Sequence, residues 1–171
     1  MAYTSVATGD RILASTVNDI IKYGLNRALV RLVQTAAQSI PDATLTALTF
    51  TGAEDIDVYG FHDPTTNSSR ITPNIPGTYL FFGSYFTAVP TTPVNIDCSI
   101  RKNAATVTAT GNRDVLGALA SSQYAQGIFD MNGSTDYAEL IGFQDSSGAV
   151  NTNVSLRFSS HFSCVALGYS L

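Results

Sequence analysis

The stretch Tyr79-Leu80-Phe81-Phe82-Gly83-Ser84-Tyr85-Phe86 decides the fold class, because it combines strand-forming residues with aromatic side chains at both parities. Successive side chains of a strand point to opposite faces, so this stretch has apolar residues on each face. A two-layer sandwich normally leaves one face of each sheet in water. A strand that is aromatic on both faces must be covered twice, and the second cover is most simply another copy of the chain. We therefore predict an oligomer; a locally thick core within one chain is the alternative.

Short β-type segments separated by turn signals lie on both sides of this stretch, at intervals typical of an antiparallel sandwich. Residues 94–102 alternate apolar with polar side chains, as expected for a strand with one wet face. Residues 153–168 are predicted to form one long closing strand with Phe158, Phe162 and Cys164 on its buried face. The predicted strands are 30–36, 43–50, 57–61, 69–72, 77–87, 94–102, 105–110, 123–131, 137–143 and 153–168.

The N-terminal region has a different periodicity. Thr16-Val17-Asn18-Asp19 is similar to a capping box, and apolar residues then recur at helical spacing. We predict an amphipathic helix over residues 16–29. At about four turns it is marginal alone, so its apolar stripe must contact another surface. We divide the chain into an N-terminal docking segment, 1–29, and a β-sandwich head, 30–171. The residues assigned to docking are Val17, Ile20, Ile21 and Leu25.

Composition excludes several classes of partner. Charged residues make up 13% of the 171, about half the usual share, and the net charge is −4 with the nine basic residues scattered. Nucleic-acid binding is not expected from such a charge distribution. Residues 1–10 lack a signal-peptide pattern, and no apolar stretch approaches the roughly 18 residues that span a bilayer. We expect a soluble, unsecreted product without membrane insertion, whose Cys98 and Cys164 are buried thiols rather than a disulfide.

The sequence contains no catalytic or cofactor motif, so we predict a non-enzymatic protein with no catalytic residues and no cofactor. His161 and His62 are the candidates for acid–base chemistry, and surface histidines without such a role are the commoner case. Glu54, Asp55 and Asp57, with Asp63 nearby, could hold calcium but lack the spacing of a calcium loop, so no metal site is predicted.

A carbohydrate-binding surface is a further alternative. Tyr124, Tyr137 and Tyr169 are aromatic residues of the kind that stack on sugars, whereas packing and interface roles explain tyrosines equally well. The ligand of the head is therefore left open.

Four motifs in order match one family. Residues 71–81 (ITPNIPGTYLF) resemble Phe-x-x-Pro-x-x-Gly-x-Tyr-x-Phe, and Arg101-Lys102-Asn103 resembles a Lys-Asn-Gly hairpin in which Ala104 replaces the glycine. Asp136-Tyr137-Ala138-Glu139-Leu140 is similar to Gly-Asp-x-Val-x-Leu, and Ser160-His161-Phe162-Ser163 to Ser-x-Phe-Ser-Gly. The order of these motifs over residues 30–171 resembles the C1q/TNF-like jelly-roll head.

This resemblance implies an all-β, ten-stranded antiparallel jelly-roll sandwich. It also implies a homotrimer held together by aromatic residues near its three-fold axis, in agreement with the doubly covered strand. The residues assigned to the trimer interface are Tyr79, Phe81, Phe82, Tyr85, Phe129 and Phe162.

The stretch Ala7-Thr8-Gly9-Asp10-Arg11-Ile12-Leu13-Ala14, which leads into the predicted helix, is similar to the segment that opens many bacteriophage virion proteins. That resemblance implies a structural virion protein made in the host cytoplasm. Its N-terminus would dock on a capsid or tail protein. Its head would act in capsid decoration, as a head fibre does, or in adhesion to a host-surface glycan or protein, as a tail fibre does. The alternative from another class is a free lectin-like or cytokine-like soluble binding module.

Overall fold

The computed structural model describes residues 28–52, 55–88, 94–105, 109–116, 122–155 and 158–169. All regular structure in these ranges is β-strand, as the sequence predicts. The strands are β1 (Leu29–Val33), β2 (Ser39–Ile40), β3 (Thr46–Ala47), β4 (Ile56–Asp57), β5 (Arg70–Ile71), β6 (Pro76–Phe86), β7 (Val94–Lys102), β8 (Ala109–Leu116), β9 (Ser122–Asn132), β10 (Ala138–Gln144), β11 (Val150–Asn151) and β12 (His161–Tyr169).

Ten of these strands form two five-stranded antiparallel sheets, which confirms the predicted ten-stranded sandwich. Sheet I has the order β4-β1-β12-β6-β9. Sheet II has the order β3-β10-β7-β8, and β5 pairs with the same edge of β10 as β3 does. The short strands β2 and β11 pair separately.

The predicted helix over residues 16–29 lies outside the described residues except for its end. There the structure corrects the prediction, because Leu29 belongs to β1 and pairs with Val165 of β12. Long-range strand pairing wins over the local helical spacing at this position.

Strand β6 is an interior strand of sheet I, paired with β12 on one side and with the edge strand β9 on the other. Its residues Tyr79, Phe81 and Tyr85 point into the sandwich and are fully buried. The ring centroid of Phe81 lies 6.0 Å from that of Phe162 and 5.7 Å from that of Phe129. The strand predicted from aromatic content alone therefore supplies the centre of the core.

Strand β7 confirms the apolar half of the predicted alternation, because Ile96, Cys98 and Ile100 are buried in the core. The opposite face is drier than predicted. Arg101 is partly exposed there, whereas Ser99 is buried. Both cysteines are buried and free, as predicted. Loss of hydration on burial raises the pKa of the Cys98 and Cys164 thiols, so both are protonated at neutral pH.

The predicted closing strand over residues 153–168 starts too early, because residues 153–160 are not part of β12. Strand β12 begins only at His161, and Phe158, predicted to be buried, is 51% exposed. The Asn153 side chain accepts a hydrogen bond from the Ser155 backbone N–H at 3.0 Å, and the Phe158 N–H donates to the Ser155 carbonyl. These local turns use the backbone groups that a continuous strand would need for pairing. Strand β8 is also shifted from the predicted 105–110 to Ala109–Leu116, where it pairs with β7.

Two of the recognised motifs meet at one end of sheet II. Glu139 is buried, and its carboxylate accepts hydrogen bonds from Arg101 Nε at 2.8 Å and from Ser69 Oγ at 2.8 Å. Lys102 Nζ lies 2.7 Å from Asp136 Oδ2, and this hydrogen-bonded ammonium holds the pKa of Asp136 below its usual range. Arg70 Nε of β5 also lies 3.5 Å from Glu139 Oε1, so these charged pairs join β5 and β7 to β10 and to the residues just before it.

The turn that follows β7 contains Asn103 and Ala104, the end of the stretch that resembles a Lys-Asn-Gly hairpin. Asn103 and Ala104 both have positive φ, at 53° and 54°. Alanine adopts this left-handed conformation at a cost, so glycine is the usual residue there. The Asn103 side chain offsets the cost by donating to Asp136 Oδ1 at 2.7 Å and accepting from the Tyr137 N–H at 2.9 Å.

Candidate interaction surface

The face of sheet I that points away from sheet II, the outer face of sheet I, has an ordered set of side chains. Strand register places them in three rungs that cross the sheet. The first rung is Leu29, Val165, Leu80 and Ile128; the second is Ile56, Arg31, Ser163, Phe82 and Gln126; the third is Val33, His161, Ser84 and Tyr124.

Large apolar side chains are exposed on this face. Ile128 is 61% exposed, Tyr124 60% and Phe82 44%. Phe82 pairs with Gln126 and is therefore the diagonal neighbour of both Tyr124 and Ile128. Large apolar residues exposed side by side in this way mark an interaction site. The outer face of sheet II is different, because there the cluster of Arg70, Arg101 and Glu139 crosses the strands.

A cavity of about 750 Å³ opens on the outer face of sheet I. It is lined by Leu29 and by most side chains of the second and third rungs. Apolar walls from Phe82, Tyr124 and Ile56 surround polar groups in its floor, an arrangement typical of a surface that binds a complementary partner.

The polar groups in the cavity are weakly connected to one another. His161 Nδ1 lies 3.4 Å from Ser84 Oγ, near the limit of a hydrogen bond. Arg31 forms a 3.0 Å ion pair with Asp55, and both side chains are about half exposed. Partial burial lowers the pKa of His161, and the positive charge of Arg31 lowers it further. Among the described residues no carboxylate hydrogen-bonds to His161, so the Ser–His–acid arrangement of a nucleophilic site is not assembled there.

The predicted interface residues divide between the two faces of sheet I. Tyr79, Phe81, Tyr85 and Phe162 have no exposed surface in the isolated chain, and Phe129 packs against the core. Phe82 alone of the six is on the outer face of sheet I with a large exposed fraction. The four buried aromatics fill the core of one chain, so we do not carry their assignment forward. The docking residues Val17, Ile20, Ile21 and Leu25 lie outside the described residues.

The sequence analysis did not assign Ile128 to any site, and it considered Tyr124 for sugar binding but not for the subunit interface. The signal was present in β9, where Tyr124, Gln126 and Ile128 share a parity opposite to the buried Ala125 and Met131. When the side chains that point away from the core include large apolar residues, we expect another surface to cover that face of the sheet.

The acidic residues considered for calcium have local partners instead. Asp57 accepts hydrogen bonds from the backbone N–H groups of Phe61 and His62, at 3.0 and 2.9 Å. Asp63 accepts from Thr65, and these hydrogen bonds lower the pKa of Asp63 to about 2. Glu54 lies outside the described residues. In the described ranges, no three His, Cys, Asp or Glu side chains gather in a metal-binding group.

The remaining candidates are dispersed. His62 is buried with Nε2 3.2 Å from the Ser68 carbonyl oxygen. Tyr137 lies under the Arg70 guanidinium at 3.9 Å, and the Tyr169 hydroxyl accepts from the Ala28 N–H. Tyr124 is on the outer face of sheet I, so the three tyrosines considered for sugar binding do not form one surface. Over the same described ranges, no helix has the length and apolarity needed to cross a bilayer.

Comparison with solved structures identifies the architecture. Crystal structures of murine APRIL at pH 8.0 and at pH 5.0 are 15% and 12% identical to this chain, with TM-scores of 0.57 and 0.59. Each comparison covers 83% of this chain and 100% of the APRIL chain. Eiger TNF from S. frugiperda is 5% identical, with a TM-score of 0.55, over 85% of this chain and 95% of its own. No family model and no curated protein matches the sequence. The chain therefore has a TNF-like jelly-roll fold.

Phe81 and Phe82 test the division of the two faces. Phe81→Ala removes a fully buried ring and is expected to lower the free energy of unfolding by about 3–5 kcal/mol. Phe82→Ala removes a half-exposed ring and is expected to cost about 1 kcal/mol in the free subunit. Urea denaturation at two protein concentrations measures both changes. Equal losses for the two variants at low concentration would contradict the assignment.

Proposed function

We propose that this chain is a non-enzymatic virion structural protein, with a homotrimeric jelly-roll head and an N-terminal segment, 1–29, that docks on a capsid or tail protein. The main support for the proposed trimer is the apolar patch on the outer face of sheet I. Assembly is the simplest way to remove that patch from water. The TNF-like fold supports the same arrangement, because the C1q/TNF-like resemblance implies trimers.

The size of the apolar side chains supports stable association. Covering each of Ile128, Tyr124 and Phe82, which are about half exposed, contributes about 1 kcal/mol. In a closed three-fold ring each subunit contacts both other subunits, so the trimer has three equivalent interfaces. The contributions of three such interfaces add together, so the ring is more stable than a single pair.

The junction between head and docking segment is firmly tied to the sandwich. Ala28 is fully buried, its N–H donates to the Tyr169 hydroxyl at 2.8 Å, and its carbonyl accepts from the Ala166 N–H at 3.0 Å. A segment that enters the sheet through such contacts holds the head in a defined orientation. This supports an appendage in which residues 1–29 dock and the head projects.

The virion assignment itself rests on the resemblance of residues 7–14 to the opening segment of phage virion proteins. In that setting the head binds by shape and multivalency, since weak contacts are multiplied by three subunits and by many copies on each particle. Capsid decoration and adhesion to a host-surface glycan or protein are both compatible with this mechanism.

Substitution at Ile128 tests the trimer. Ile128→Glu places a carboxylate in the covered apolar rung, so the full-length variant is expected to elute as a single subunit in size-exclusion chromatography with light scattering. The matched control is Leu45→Glu, because Leu45 is 52% exposed and precedes β3 of sheet II. We expect the wild type and the control to have three times the subunit mass. Wild-type protein that is monomeric at micromolar concentration would overturn the trimer.

The second candidate function, a free lectin-like or cytokine-like module, is favoured by the likeness to APRIL and to Eiger TNF. The double variant Ile20→Asp, Ile21→Asp separates it from the virion role. For a virion appendage, the variant trimerises but is missing from purified particles, as mass spectrometry of those particles would measure. If wild-type protein is also absent from particles, the free module replaces the virion proposal.

A further inference from the structure

The cavity on the outer face of sheet I contains a titratable group. His161 begins β12, pairs with Ser84 of β6 and lines this cavity. We propose that assembly of the head is pH-sensitive, and that protonation of His161 releases the subunits from one another. This inference rests on the proposed trimer and adds its regulation.

The described charged groups that act on His161 are paired with each other. Arg31 of β1 is its diagonal neighbour on the same face, and Asp55, which precedes β4, is the ion-pair partner of Arg31 at 3.0 Å. On the other side, β6 contributes Ser84 and β9 contributes Tyr124. Asp55, the described carboxylate that acts on His161, is thus already paired with Arg31. Of these two charges, Arg31 has the larger effect on His161 and disfavours an imidazolium.

Covering the face makes the cationic form less favourable. In the free subunit His161 is partly exposed, so water can hydrate an imidazolium. A second copy that covers the third rung removes that water while Arg31 stays in place. The pKa of His161 is therefore lower in the trimer than in the free subunit.

The sign of the pH dependence follows from this difference. A group that binds its proton more weakly in the assembled state stabilises assembly at high pH and loses that contribution as pH falls. Each subunit takes up one proton on release, so the dissociation constant of a trimer rises by up to about 1,000-fold for each pH unit. The rise begins below the ordinary pKa range of histidine, because burial and Arg31 already lower the pKa of His161 in the free subunit.

The chain offers a matched control in its one other histidine. His62 is buried in the loop after β4, where its ring contacts the Ser68 carbonyl and its backbone N–H donates to Asp57. It does not lie on the outer face of sheet I. Removing it is expected to leave the pH dependence of assembly unchanged.

The experiment measures the mass of full-length protein by light scattering at pH 7.5 and pH 5.0. Wild-type protein and His62→Gln are expected to be trimers at pH 7.5 and single subunits at pH 5.0, with an unchanged circular dichroism spectrum and recovery on return to pH 7.5. His161→Gln, which cannot be protonated, is expected to be trimeric at both pH values.

The outcomes separate the two proposals. A wild-type trimer at both pH values, release of His161→Gln at pH 5.0, or a lost circular dichroism spectrum would overturn the pH switch and leave the trimer standing. A wild-type monomer at pH 7.5 would overturn the proposed function itself. If His161→Gln fails to assemble at pH 7.5, the test is an NMR measurement of the pKa of His161 in wild-type protein, in concentrated and in dilute samples. A lower pKa in concentrated than in dilute samples supports the switch, and equal values overturn it.

Discussion

Strand β6 has apolar side chains on both faces and lies between β12 and β9 in the interior of sheet I. The rest of the structure depends on this constraint. One face, with Tyr79, Phe81 and Tyr85, requires a second sheet to bury it, and β7 and β10 supply that cover. The other face, with Leu80 and Phe82, has no cover within the described part of the chain. The sandwich buries one apolar face of β6, and association with other copies of the chain buries the other.

The architecture could be predicted from the sequence where periodicity reports directly on burial. The alternation in β7 identified Ile96, Cys98 and Ile100 as core residues, and the aromatic content of β6 indicated two covered faces. Prediction failed where local hydrogen bonds compete with strand pairing, as in the turn after Asn153. It also failed to separate the two faces of β6, because aromatic content alone does not say which residues face the core.

The candidate surface was harder to predict than the fold for a related reason. Its members lie on five strands that are distant in sequence, and only the register brings them into rungs. Phe82 was recognised, whereas Ile128 and Tyr124 belong to a strand whose outward row also contains Gln126 and Asp130. Because polar residues separate Tyr124 and Ile128 in the sequence of β9, these residues are recognised as part of an apolar surface only when β9 is paired with β6.

The central claim is that other copies of the chain cover the outer face of sheet I, and hydroxyl-radical footprinting tests it most directly. In the isolated chain Ile128 and Tyr124 are more exposed than Leu45, which lies beside sheet II. For wild-type protein at micromolar concentration, the account predicts that oxidation of Ile128 and Tyr124 is suppressed, relative to their own rates in dilute protein, while that of Leu45 is unchanged. Equal oxidation of Ile128 and Tyr124 in dilute and concentrated samples would contradict the account.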